Sequence, residues 1–182
     1  MNATRLAIVA ILGSAMLAAV VMYYQLVYAG YAELTQAEVG EIQLLSVVTG
    51  APEPILSENV MAIDTVEEGV RISGAISFRA CFETPSSQAM LTETYQIAEN
   101  AVPLNAPSWF ECFNAQDIGA AIEDGNAIPF MSEENISYGV DRIVAILPDG
   151  RGFVWHQLNP CGEAVFAGDN TPDGCPELGE DS

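Results

Sequence analysis

The sequence contains no lysine and only one histidine, His156, so its five basic residues are all arginine. Against them stand 25 aspartate and glutamate residues, and the formal net charge is −20 at pH 7. Because a chain this acidic repels phosphate, nucleic-acid binding is excluded. The same field attracts cations and basic proteins, although acidity also keeps a surface soluble, as in the proteins of a salt-adapted organism.

Motifs for catalysis and for metal binding are also missing. The sequence has no Gly-x-Ser-x-Gly element around a nucleophile and no CxxC pair of the kind found in thioredoxin-like sites and zinc ribbons. His156 lies in a predicted strand before Cys161, where we interpret it as a structural residue and not as a zinc ligand or general base. We therefore predict a protein that is not an enzyme and holds no cofactor and no metal.

Carboxylates supply the remaining candidates for cation binding. Adjacent acidic residues occur at 67–68, 123–124 and 133–134, and such pairs can bind Ca²⁺ or act in acid–base chemistry. The segment 169–174, Asp-Asn-Thr-Pro-Asp-Gly, resembles the start of an EF-hand loop, and Glu180 stands at the twelfth position. No helices are predicted beside it and Cys175 interrupts it, so we favour a solvated loop.

One long uncharged run, residues 6–28, is the most informative stretch of the chain. As a helix rising about 1.5 Å per residue, it is long enough to cross a hydrocarbon core of about 30 Å. A cleaved signal peptide is the alternative, since Val27-Tyr28-Ala29 resembles a cleavage site. The apolar core from Leu6 to Met22 is longer than that of a usual signal peptide, so we predict a retained transmembrane helix.

The charges on the two sides of this helix predict its orientation. Arg5 precedes it, whereas Glu33 and Glu38 are the first charges after it. The positive-inside rule therefore places residues 1–5 in the cytoplasm and the acidic part outside, in the periplasm of a bacterial inner membrane. Tyrosines cluster at the outer end, where we expect them in the lipid headgroup layer: Tyr23, Tyr24, Tyr28 and Tyr31.

Small side chains recur along one side of the predicted anchor at spacings of three and four. Such a stripe lets another helix approach closely, although the same spacing also arises by chance in alanine-rich anchors. We predict this stripe as a helix-packing face: Ala7, Ala10, Ser14 and Ala18.

The four cysteines predict two disulfides, because their number is even and the domain is placed outside the cytoplasm. Three pairings are possible among Cys81, Cys112, Cys161 and Cys175. We favour Cys161 with Cys175, because both lie in the turn-rich end of the chain, which leaves Cys81 with Cys112. Each bridge of this kind contributes about 2–4 kcal/mol by restricting the unfolded chain.

The part after the helix predicts one α+β domain with a mostly antiparallel sheet and short helices. We divide it into a juxtamembrane connector at 29–41, the acidic domain at 42–166 and a loop-like acidic tail at 167–182. The best strand signal is 70–83, where Ile76, Phe78, Ala80 and Phe82 alternate with polar or small residues as in a half-buried strand. Other predicted strands are 41–48, 94–98 and an edge strand at 127–131.

Local signals also predict turns, caps and core residues. Strands at 140–147 and 152–158 form a hairpin around Pro148-Asp149-Gly150, and Ser86 caps a short helix through Thr92. Asn114 caps a helix that ends at Gly125. We expect the large aromatic residues of the domain to form core, with an exposed patch for a partner protein as the alternative: Trp109, Phe110, Phe113, Phe153 and Trp155.

Three stretches of the chain look familiar, namely Phe78 to Phe82 with Met90 to Tyr95, then Ala106 to Phe113, and finally Tyr138 to Ala145 with Trp155 to Gly162. They resemble an uncharacterised family of small single-pass membrane proteins from alphaproteobacteria. The likeness covers roughly residues 5–165 and leaves out the tail after Ala167. The resemblance implies kinship and a periplasmic domain on an inner membrane, but no activity.

Our leading hypothesis is a non-catalytic accessory or assembly subunit of a larger inner-membrane complex. A respiratory complex, such as a cytochrome oxidase or a cytochrome bc1 complex, is the specific expectation by analogy. The acidic domain would then suit basic c-type cytochromes as partners. The alternative is a free-standing, membrane-anchored periplasmic module that binds or senses a small ligand or Ca²⁺.

Overall fold

The structure is a computed structural model and describes residues 3–25, 28, 30–67, 70–71 and 76–176. The predictions for residues 1–2, for part of the 70–83 strand and for the end of the acidic tail lie outside the described residues.

The chain begins with the apolar helix α1, Ala3–Tyr24, which is 22 residues long. It starts before the predicted residue 6 and ends before the predicted residue 28. No residue of its most apolar window, Ala7–Tyr24, is buried inside the protein. By length and composition the helix can cross a membrane, and a signal sequence near an N-terminus has the same properties.

The described residues after α1 form an α+β fold with a mostly antiparallel sheet, as predicted. The sheet runs in the order β1-β4-β6-β9-β8-β7, with β5 paired to β4 and with β2 and β3 as a separate hairpin. The strands are β1 Tyr31–Leu34, β2 Gln43–Leu45, β3 Pro52–Pro54, β4 Glu58–Glu67, β5 Val70–Arg71, β6 Arg79–Glu83, β7 Ile128–Ser137, β8 Val140–Ile146 and β9 Arg151–Leu158. The helices are α2 Gln36–Val39, α3 Gln88–Thr94, α4 Ala115–Glu123 and α5 Pro160–Ala167.

Apolar clusters cover both faces of the sheet. Leu44, Leu91 and Phe130 belong to one cluster, and Ile118 and Trp155 belong to the other. Hydrophobic burial on both sides is what stabilises the domain, because each sheet face needs a cover.

The prediction of a half-buried strand around residues 76–83 is wrong, because apolar clusters cover both faces of the sheet. In β6 the residues from Arg79 to Phe82 are buried on both faces, whereas Glu83 at its end and Ile76 ahead of the strand are exposed. The two faces of this strand are buried because Ala80 and Phe82 belong to one apolar cluster and Cys81 belongs to the other.

Several local predictions are confirmed. Strands β8 and β9 form the predicted hairpin, and β7 is an edge strand. The side chain of Asn114 accepts hydrogen bonds from the backbone N–H groups of Gln116 and Asp117 and so caps α4. The cap of α3 is Ser87, one residue after the predicted Ser86.

Other elements differ from the predictions. The predicted connector contributes the edge strand β1 and the helix α2. The end of the chain contains α5, which Asn159 caps and Pro160 starts, and this is a helix that the sequence analysis missed. Residues 94–98 do not form a strand and make only isolated bridges at Tyr95 and Ile97.

Two disulfides join Cys81 to Cys112 and Cys161 to Cys175, which is the pairing favoured from the sequence. The first links β6 to the segment before α4 and lies against the second apolar cluster. The second links α5 to the tail.

Candidate functional site at the junction of the helix and the sheet

The end of α1 meets the domain through a continuous set of aromatic rings. Tyr28 stacks on Tyr24 at 5.7 Å between ring centroids and on Trp109 of the domain at 6.4 Å. Tyr31, the first residue of β1, contacts the same tryptophan edge to face at 6.4 Å. Tyr23 contacts Tyr28 edge to face at 6.4 Å and so belongs to the same set of rings. We call these five residues, Tyr23, Tyr24, Tyr28, Tyr31 and Trp109, the aromatic junction.

Trp109 is held in place by the turn in which it lies. The N–H of Phe110 donates to the carbonyl of Pro107, which closes the turn, and Cys112 is bonded to Cys81 of the central strand. Trp109 is half-buried and packs edge to face on Phe110. The prediction of core is thus confirmed for Phe110, Phe113, Phe153 and Trp155. Trp109 instead lies at the edge of the core and contacts Tyr28 and Tyr31, which follow α1.

A groove of about 530 Å³ opens beside Trp109. Leu34, Met61 and Trp109 supply apolar walls, and Glu33 and Glu111 supply carboxylates. A second groove, of about 320 Å³, shares Met61, Glu111 and Cys112 with the first. Apolar walls with carboxylates favour a ligand or a partner segment that is apolar and positively charged. No local sequence pattern predicts this groove, because its residues come from β1, β4 and the 109–112 turn.

Arg79 is buried behind the aromatic junction. Its guanidinium donates to the carbonyl oxygens of Ile76 and Phe78 and to those of Leu104 and Asn105. Burial lowers the pKa of Arg79 to about 10, although Tyr31 and Asp64 oppose this shift. The hydrogen bonds of this side chain therefore connect β6 to the loop that leads to Trp109.

His156 is buried, as a structural histidine can be, and its Nε2 accepts a hydrogen bond of 3.0 Å from Nε of Arg142. The imidazole also stacks on Phe78 at 4.9 Å, and the Arg142 guanidinium lies 5.0 Å from the centre of the same ring. Burial lowers the pKa of Arg142, with Glu133 and Asp64 opposing the shift. An imidazole that accepts from a guanidinium is neutral, and its contacts pack β8 against β9.

The segment considered for calcium lies in an open cleft beside the second disulfide. Asp173 and Gly174 share this cleft with Glu134 and Asp141. Within the part of the chain that the structure describes, no three His, Cys, Asp or Glu side chains are grouped closely enough to hold a metal ion. Asp141 is engaged by Asn159 and by the backbone N–H of Asn135.

The predicted helix-packing residues Ala7, Ala10, Ser14 and Ala18 all lie on α1, and Ser14 Oγ donates back to the carbonyl of Ile11. Their role in packing against another helix stays a prediction.

The chain belongs to a family of unknown function, DUF6446, which matches residues 42–176. This match starts after β1 and α2, and it continues past Cys175, so the second disulfide lies inside the family domain. The tail after Ala167, which the sequence analysis left outside the resemblance, is included up to residue 176. No curated protein and no solved structure shows significant similarity to the chain.

Proposed function

We propose that this protein is a non-catalytic accessory subunit that α1 anchors in a bacterial inner membrane, with its acidic domain in the periplasm. The aromatic junction is the observation that carries this proposal. A signal peptide cut after Ala29 would remove Tyr28, yet Tyr28 stacks on Trp109 of the folded domain. A segment that packs on the mature domain is better explained as a retained anchor.

The partner in this proposal is a larger membrane complex. The side chains of α1 from Ala7 to Tyr24 are not buried inside the protein, so lipid or another helix has to cover them. The small-residue stripe supplies a face on which a neighbouring helix can pack closely. A respiratory electron-transfer complex, such as a cytochrome oxidase or bc1 complex, remains the specific expectation.

The acidic domain would act at the surface of that complex. With 25 carboxylates in the chain, all of them after the helix, the domain would attract a basic partner such as a c-type cytochrome. Such an attraction is screened by salt over about 10 Å at 0.1 M ionic strength. Binding of the cytochrome should therefore weaken strongly between low and physiological salt.

Purification in a gentle detergent tests the proposal. A tagged full chain should migrate on a native gel with a complex much larger than itself. Ser14→Leu, which fills the small-residue face, should release it, whereas Met16→Leu on the opposite side of α1 should not. If the wild-type chain emerges alone from native membranes, the accessory-subunit proposal is wrong.

A free-standing binding module is the second candidate, and the groove beside Trp109 favours it. Under this alternative a small cationic apolar ligand, or Ca²⁺, raises the melting temperature of the isolated protein without any partner. A thermal scan with such a ligand, with Ca²⁺ and with a chelator separates the two candidates. A shift abolished by Met61→Arg, whose cation would repel such a ligand, and retained in Leu56→Arg would place the ligand in the groove.

A further inference from the structure

We propose that the domain lies on the bilayer with the end of its sheet that is nearest α1. At that end, Trp109 and Phe166 each contact lipid. This inference rests on the proposed anchoring by α1 and adds the orientation of the domain to it. Its partner is the neutral boundary between the headgroups and the acyl chains.

The strand register places the start of β1, beside Trp109, and the start of α5, which carries Phe166, at one end of the sheet. Tyr31 at the start of β1 pairs with Thr65 of β4, and Ile63 two residues earlier pairs with Arg79 at the start of β6. Arg79 in turn pairs with Trp155 near the end of β9. The start of β1 and the end of β9 therefore lie at the same end of the sheet, and α5 follows β9 immediately.

Several exposed side chains at this end are apolar. Phe166 on α5 is 87% exposed, and its neighbour Val165 is exposed as well. Ile76 and Val102 are also exposed at this end, and the N–H of Val102 donates to Gln157 near the end of β9. Together with the aromatic junction, these four apolar residues form a surface of the kind that enters the lipid interface.

The position of α5 at this end of the sheet is fixed by packing, by its cap and by a disulfide. Its first turn packs on Gly139 through Gly162, and the side chain of Asn159 caps it from a buried site. The disulfide from Cys161 to Cys175 adds a covalent tie to the tail. Phe166 is therefore presented by a fixed helix.

The link between the anchor and the sheet is too short to hold the domain far from the membrane. From Gln25 to Tyr31 the chain spans at most about 20 Å when fully extended. In the structure, the stacking of Tyr24, Tyr28 and Trp109 shortens this link further. The acidity of the chain argues against attraction to anionic headgroups, so the contact has to be apolar.

Quenching of tryptophan fluorescence by brominated lipids tests this orientation. The full chain is reconstituted in phosphatidylcholine liposomes with or without bromine on the acyl chains. Trp155 is fully buried and serves as an internal reference that bromine does not reach. Trp109→Phe should remove most of the quenching seen in the wild type.

The decisive comparison uses two new tryptophans in the Trp109→Phe background. Phe166→Trp replaces an exposed ring at the anchor end, and Leu56→Trp replaces a 71% exposed side chain ahead of β4, at the opposite end. Both positions are exposed, so neither substitution disturbs packing. We expect quenching at position 166 to exceed that at position 56 by at least about twofold.

Flotation of the same liposomes separates the two proposals. If the protein floats with the lipid but positions 166 and 56 are quenched equally, the orientation is wrong and the anchoring stands. A protein that does not float with the lipid overturns the anchoring, and the orientation with it.

Discussion

Gly139 and Gly162 pack backbone against backbone, although they belong to different elements. Gly139 lies in the turn between β7 and β8 with φ of 72°, and Gly162 lies in the first turn of α5. A Cβ on Gly139 would be 2.6 Å from the amide nitrogen of Gly162, and a Cβ on Gly162 would collide with the Gly139 carbonyl. Neither position has room for a side chain.

Gly162→Ala should therefore destabilise the domain by about 2–3 kcal/mol, because a buried backbone has to move to admit the methyl group. The matched control is Gly119→Ala in α4, where a Cβ would be 3.7 Å from Cγ of Pro103, an ordinary contact. That control should be neutral or stabilising by about 0.5–1 kcal/mol. Urea denaturation of the full chain in detergent measures both, and equal effects would contradict the close packing.

Asn159 and Asn114 both cap helices, but only Asn159 also joins other elements. Its Nδ2 donates to Asp141 at 2.8 Å and to Asn135 at 3.0 Å, and it is buried. We expect Asn114→Ala to cost about 1 kcal/mol, as a cap does, and Asn159→Ala about 2–4 kcal/mol, because Asp141 loses a buried donor. Chemical denaturation compares the two, and similar losses would mean that the Asp141 contact contributes nothing.

Arg79 should not tolerate lysine. A lysine ammonium cannot reproduce the planar set of donors that satisfies carbonyls just ahead of β6 and in the 104–105 loop, so carbonyl oxygens stay unpaired. We expect Arg79→Lys to cost about 2–3 kcal/mol of unfolding free energy. Arg151→Lys, at an exposed arginine paired with Asp149, should change stability by less than about 0.5 kcal/mol. A near-neutral Arg79→Lys would show that water satisfies these carbonyls.

Asp149 should titrate below its ordinary pKa of 3.8, first because the backbone N–H of Arg151 donates to it and then because the Arg151 side chain does. A lowered pKa in the folded state means that this carboxylate stabilises the fold above pH 3.8. The contribution is lost as pH falls through the folded-state pKa. NMR titration of the side-chain carboxyl should show a smaller lowering of the pKa in Arg151→Gln but not its complete loss, because the backbone donor remains.

The two disulfides should differ in what their removal costs. Cys81–Cys112 closes 31 residues and lies against the core, whereas Cys161–Cys175 closes 14 residues near the end of the domain. Chain entropy alone gives about 3–4 kcal/mol for the longer loop and about 3 kcal/mol for the shorter one. Paired serine substitutions, compared by thermal unfolding, should show the larger loss for Cys81 and Cys112. The reverse order would mean that the Cys161–Cys175 disulfide stabilises α5 more than the Cys81–Cys112 disulfide stabilises the core.

Local signals predicted the elements that local chemistry decides. The Pro148-Asp149-Gly150 turn sets the β8–β9 hairpin, and Asn114 starts α4, because each depends on residues only a few positions apart. The sequence did not reveal β1 as part of the sheet, because four residues carry too little periodicity. It also missed α5, since the Gly and Pro residues around Cys161 are typical of a loop.

The candidate site could not have been predicted in the same way. Trp109 was assigned to the core because large aromatic residues usually are, and nothing nearby in the sequence points to Tyr28. Their contact joins residues about 80 positions apart, which only the folded chain can bring together. The grooves beside Trp109 depend likewise on strands from distant parts of the chain.

Hydrophobic length, charge and composition are local or additive properties, and they are enough to predict an apolar helix, an acidic α+β domain and an even set of cysteines. The folded chain was needed to show that both sheet faces are covered, that Arg79 and His156 are buried, and that Tyr28, just after the helix, stacks on Trp109. These depend on which strands become neighbours, and hydrophobic burial decides that over the whole chain.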